Sequence, residues 1–159
     1  MNGQLTRRHV TFLLGGIATA SLHAQGKTPR TSVRQEIDFK AAPARVYDAL
    51  LDPKQFAAFT GDAAEIQSQP GGSFRLFGGR IEGRHVELAP NQRIVQAWRP
   101  SMWKPGFYTI VRFELAAQGP GTRIVFDQAG FLEDEAEWDH LNAGWPIRYW
   151  EPLRKYLDM

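Results

Sequence analysis

The chain has 159 residues, enough for one domain with a short appendage. It has no cysteine, which excludes disulfides, thiolate catalysis, iron–sulfur clusters and cysteine–zinc sites. Its 19 basic and 17 acidic residues nearly cancel, its arginines are scattered rather than clustered as a nucleic-acid surface needs, and no apolar run of 18 residues is present to span a membrane.

The beginning of the chain, "MNGQLTRRHVTFLLGGIATASLHAQG", has the three-part layout of an export signal. A polar start carries Arg7 and Arg8 and no acid, an apolar run follows from Val10 to Leu22, and Ala18-Thr19-Ala20 offers a cleavage site, with Ala24 as an alternative. Adjacent arginines ahead of a modest, glycine-containing apolar segment resemble a twin-arginine signal. Val10 departs from that pattern, which has Phe at this place. Residues 1–24 are therefore expected to be a leader, 25–32 a polar linker and 33–159 the folded domain, working in the periplasm or outside the cell. The leader holds two of the basic residues and no acid, so the processed chain is formally neutral.

The domain opens with "VRQEIDFKA", in which Val33, Ile37 and Phe39 alternate with charged residues as on a strand with one buried face. Pro43 suits a first helical turn, and Val46, Leu50 and Leu51 form an apolar stripe. Asp52-Pro53 ends that helix and starts another, which Gly61 closes. About five extended segments follow, separated by glycine pairs, Ala89-Pro90-Asn91, Pro100 and "GPG", as in an antiparallel meander. In "RIEGRHVEL", Val86 and Leu88 would face inward together, which puts Ile81 out of phase and predicts a bulge near Gly83. The order of elements defines an α+β domain with helices on one face of a curved sheet.

The last segment, Glu133 to Leu157, reads as one long helix. Trp138, Leu141, Trp145, Tyr149, Pro152 and Tyr156 fall on one face of it. Pro146 leaves the Asn142 carbonyl without its usual donor, Pro152 does the same to Arg148, and Gly144 weakens the helix by up to ~1 kcal/mol relative to alanine. Such a helix persists only if tertiary packing holds it. Bent over a twisted sheet, it leaves room for a cavity, although core packing is the simplest account of any single residue in the stripe.

The ordered series "FTG", the Gly-Gly hairpins, Gly-x-Ile-x-Gly from Gly79 to Gly83, "RIVQAW", Trp103 with Gly106, "GT" and Gly144-Trp145 resembles the SRPBCC or START-like superfamily. Within it, the series is most similar to the branch named after the activator of the heat-shock protein 90 ATPase, over about Val33 to Leu157. The resemblance implies a helix-grip fold, a curved antiparallel sheet wrapped round the C-terminal helix, with a hydrophobic pocket between them. It does not imply a chemistry: superfamily members carry apolar ligands, and a few are cyclases or hydrolases.

Candidate chemistry outside a pocket is thin. Glu137 and His140 form a single Glu-x-x-His pair, too few ligands for a di-iron site, and the acidic run around them suits a helix N-terminus. His85 and Glu87, two apart on a strand, face the same side; a solvated outer-face pair is the ordinary reading and a proton relay the alternative. No Gly-x-Ser-x-Gly elbow is present. No catalytic residue, metal or cofactor is assigned. The expected pocket is lined by Phe74, Trp98, Phe113 and Phe126, roofed by Leu141 and Trp145, with Phe59 near the mouth and Gln128, Arg112 and Tyr149 as polar candidates. The expected partner is a small hydrophobic molecule. A protein partner, or a reaction using pocket polar groups, are the alternatives.

Overall fold

Strand alternation sets the first element. β1 (Ser32–Phe39) buries Val33, Ile37 and Phe39, and the intervening acids and arginine face solvent. The computed structural model describes residues 31–131 and 135–159, so the expected leader and nearly all of the linker lie outside the described residues. Helices α1 (Pro43–Leu51) and α2 (Pro53–Thr60) follow. Asp52 separates them: its carboxylate accepts from the Gln55 amide at 2.8 Å and caps α2. Gly61 ends α2 at φ 75, a left-handed conformation that a side chain resists.

The rest of the sheet is a meander of β2 (Glu65–Ile66), β3 (Ser73–Leu76), β4 (Ile81–Ala89), β5 (Arg93–Pro100), β6 (Thr109–Gln118) and β7 (Gly121–Ala129). The order across the sheet is β1-β7-β6-β5-β4-β3-β2, with every neighbouring pair antiparallel. The two-residue β2 is too short to have registered as a period in the sequence. On the outer face, Arg34, Arg112, Asp127 and Glu114 form a surface charge ladder, as do Arg123 with Asp38 and Arg93 with Glu87. The strand arginines Arg34, Arg93, Arg99, Arg112 and Arg123 are thus paired with acids on neighbouring strands.

The expected bulge near Gly83 lies elsewhere. Gly83 pairs regularly with Trp98 and with Phe74, and the irregularity falls between His85 and Glu87. Val86 is the displaced residue and is 57% exposed, so it does not face inward with Leu88. Ile81 and Gly83 set one phase and Leu88 the next, so one residue between them must drop out, and the sequence does not say which. Gly83 has a different reason: a Cβ there would sit 2.4 Å from the Phe74 ring, which lies across the strand.

The chain closes with α3 (Glu135–Trp145), a π-helical turn (Pro146–Trp150) and α4 (Glu151–Leu157), forming one continuous helical segment gripped by the curved sheet. In the π turn the Glu151 amide reaches back five residues to the Pro146 carbonyl. That wider turn advances the buried face by one residue. Trp145 and Tyr149 face inward as expected, but thereafter Trp150, Leu153 and Leu157 are the buried positions, while Pro152 and Tyr156 are only half-buried. Residues 133–134 of the expected helix lie outside the described residues.

The carbonyl freed by Pro146 has a partner. Gln35 of β1 donates to the Asn142 carbonyl at 2.9 Å, and its own carbonyl accepts from the Trp150 indole at 2.6 Å. Trp138 donates to the Ser32 carbonyl at 2.7 Å and Trp145 to Gln128 at 2.7 Å. Three tryptophans of the closing helix therefore fasten it to the β1–β7 edge of the sheet through their indole N–H groups. A buried Trp needs such a partner, so the same residues supply both apolar area and attachment.

Candidate functional site

Trp145 sits at the centre of the interior. Its ring centroid lies 4.2 Å from Phe126, 4.3 Å from Tyr149, 5.5 Å from Trp98 and 5.7 Å from Trp150. These rings fill most of the hollow between sheet and helix. Space remains at one end, where α3 stands away from the β3–β4 hairpin and the end of β5. A cleft of about 430 Å³ opens there, within the size range of small-molecule sites.

Phe77, Ile81, Trp98, Leu141, Trp145 and Tyr149 supply its apolar wall, and Arg80, His140 and Arg148 also line it. Phe77 holds φ 53, uncommon for a bulky residue, and its ring meets Tyr149 at 5.3 Å. Gly144 faces the cleft from the helix, and a Cβ built on it would meet nothing within 4 Å. The glycine that weakens the helix therefore leaves the cleft open.

The expected pocket residues divide into three groups. Trp98, Leu141 and Trp145 line the cleft. Phe74, Phe113 and Phe126 lie in the packed core, where the Phe113 and Phe126 rings meet at a tilt with centroids 5.3 Å apart and Phe74 meets His85 at 5.2 Å. Phe59 lines a second recess of about 450 Å³ between α2 and the end of the closing helix, with Tyr156, Lys155 and Met159. Phe77, Ile81 and Met102 belong to the cleft and were not anticipated. The one signal for them was the Gly78-Gly79 turn, which brings the hairpin round to the helix.

Of the polar candidates, Arg112 points to the outer face and pairs with Asp127 at 2.9 Å, because it alternates out of phase with buried Val111 and Phe113. Gln128 is buried and fully engaged, accepting from Trp145 and donating to the Thr109 hydroxyl at 2.9 Å. Tyr149 is only 4% exposed, and its hydroxyl has no hydrogen-bond partner. Burial pushes that hydroxyl well above the ordinary tyrosine range; the nearby Trp98 N–H opposes the shift in part, yet neither atom completes a hydrogen bond.

His85 and Glu87 do not form a pair. The bulge turns His85 into the core, where Nδ1 lies 3.5 Å from Gln96 Nε2, and leaves Glu87 outside, bonded to Arg93 at 2.6 Å. Burial lowers the His85 pKa to about 4, so the imidazole is neutral at physiological pH. The Arg93 guanidinium holds the Glu87 carboxyl below the usual carboxylate range. Glu137 accepts from the Trp103 indole. Among the described residues, no helix is long and apolar enough to cross a membrane.

The family model described as "Activator of Hsp90 ATPase homolog 1-like protein" matches residues 40–158. The chain belongs to this family. A homologue of the activator of 90 kDa heat shock protein ATPase from Dictyostelium discoideum is 31% identical over 121 residues, covering 75% of this chain and 31% of the relative. The human homologue 1 is 23% identical over 129 residues, covering 81% and 38%. The chain thus spans about a third of the length of these curated relatives. Among solved structures, an HSP90 activator from Plasmodium falciparum superposes with a TM-score of 0.75 at 20% identity, covering 80% of this chain and 96% of that one. The Aha1 dimer from Colwellia psychrerythraea gives 0.69 at 20% identity with the same coverage. At such identity these structures show the shared fold. The activator-homologue family and its superfamily therefore agree with the resemblance carried by the glycine turns and Gly144-Trp145.

Proposed function

We propose that this activator-homologue domain binds a small hydrophobic molecule in the cleft beside Trp98, Leu141 and Trp145, without catalysing a reaction, and that it does so after export. The observation that carries the reading is the cleft itself, with Gly144 leaving its floor open where any larger side chain would occupy the space. A concave, mostly apolar recess with a few polar groups is what a small-molecule site requires. Export is supported by Arg7-Arg8 and the apolar run that follows them.

Native mass spectrometry of the protein recovered from the periplasm of its own host reads both points: a processed N-terminus and a co-purifying mass. Independently, the neutral dye N-phenyl-1-naphthylamine should fluoresce on binding the wild-type cleft, and Gly144→Leu should weaken that binding at least tenfold. The same variant should melt no lower, because leucine favours a helix by about 1 kcal/mol over glycine. Equal dye binding by both proteins would defeat the proposal.

A second reading, a protein-interaction module, draws on the names of the relatives, which are homologues of a heat-shock ATPase activator. It predicts that Gly144→Leu leaves function intact, since the interacting surface would lie outside the cleft.

A further inference from the structure

Five tryptophans lie in the described residues, and four donate their indole N–H: Trp103 to Glu137, Trp138 to Ser32, Trp145 to Gln128 and Trp150 to Gln35. The indole of Trp98 does not, although Trp98 is only 2% exposed. Beside it the Tyr149 hydroxyl, near enough for the Trp98 N–H to act on it, is likewise buried and completes no hydrogen bond. Both residues line the cleft. Leaving two buried donors unpaired opposes folding, and a native structure keeps such atoms for a reason.

Resting on the cleft reading above, we propose that Trp98 and Tyr149 form a recognition point for a carbonyl oxygen, so that the ligand is an apolar ketone, aldehyde or quinone rather than a plain hydrocarbon. An indole N–H can only donate, and a phenol can donate alongside it. Their common complement is one oxygen with two lone pairs. A neutral oxygen fits better than a carboxylate: the surroundings are Phe77, Leu141 and Trp145, and the nearest cationic groups either pair with an acid, as Arg80 does with Asp62 at 2.7 Å, or face solvent, as Arg148 does. An ionised group placed among those rings would lose its hydration without a partner. A phenol is protonated at physiological pH and burial only moves it further from ionisation, so the Tyr149 hydroxyl is a donor there.

The test uses the full chain and two planar isosteres, 2-acetonaphthone and 2-isopropenylnaphthalene, which differ by an oxygen in place of a methylene. Isothermal titration should show the ketone binding at least tenfold more tightly to the wild type. Tyr149→Phe should remove most of that preference and leave the hydrocarbon affinity within about twofold. The melting temperature of Tyr149→Phe should hold or rise, since the variant deletes an unpaired hydroxyl; a lower one would mean the hydroxyl has a structural partner and would overturn the assignment. Trp98→Phe provides a second arm that removes the other donor. Equal binding of the two isosteres, or a preference that survives both variants, refutes the carbonyl site alone. If neither compound binds, the cleft reading fails and takes this inference with it.

Discussion

The two sides of the sheet's interior treat polar groups in opposite ways. Toward β1, β7 and β6, the buried or half-buried polar side chains Gln35, Gln128, Thr109 and Thr122 are all hydrogen-bonded, and two of them hold tryptophans of the closing helix. Toward β4 and β5, four buried atoms among the described residues lack partners: His85 Nε2, Trp98 Nε1, Arg99 Nε and, on the helix facing them, Tyr149 Oη. The first side anchors the helix, and the second is where the cleft opens. Buried polar groups that are satisfied fix one arrangement, whereas unsatisfied ones mark where the molecule gives up stability. Of these four residues, Trp98 and Tyr149 line the cleft, and His85 and Arg99 lie outside its lining.

The sharpest way to break this contrast is to compare the two ends of the closing helix. Leu153 is fully buried on the anchored part. Leu153→Ala should cost roughly 3 kcal/mol in urea unfolding, whereas Leu141→Ala, half-buried at the cleft, should cost under about 1 kcal/mol. Equal losses would show that both ends are packed alike.

The unpaired side should be the acid-sensitive one. The folded-state pKa of His85 is about 4, against an ordinary value of 6.5. Between those values the unfolded chain binds a proton that the native one refuses, so stability rises with pH across that window. Lowering the pH from 6.5 to 4 should therefore remove roughly 3 kcal/mol, and His85→Gln should flatten the slope in denaturant titrations at a series of pH values. A slope unchanged in the variant would assign the effect to other groups.

On the anchored side, Gln35→Leu keeps the shape but leaves the Asn142 carbonyl and the Trp150 indole unpaired. A loss of about 2 kcal/mol is expected from the unfolding midpoint. A neutral result would mean that the helix is held by ring packing alone. In that case the distinction between the sides would be one of packing rather than of hydrogen bonding.

Much of this was legible before any coordinates. Alternation in β1, β6 and β7, the Asp52-Pro53 junction and Gly61 determined those elements locally, because a period-two face or a capped, proline-started helix needs no distant partner to be recognised. Pro146 announced a carbonyl without a donor, and Gly144 a weak point in the helix. Three things were decided only by the assembled molecule. The bulge fell at Val86 because Ile81 and Leu88 could both pack against the core only if one residue between them was displaced. The buried face of the closing helix moved from Tyr149 to Trp150 because the π turn adds a residue, and periodicity read from the chain assumes a constant 3.6. The cleft emerged at one end, with Phe113 and Phe126 sealed away from it, because how far a helix stands off a curved sheet depends on the rings between them. Sequence records which residues are apolar, but the volume they leave unfilled is a property of their joint packing.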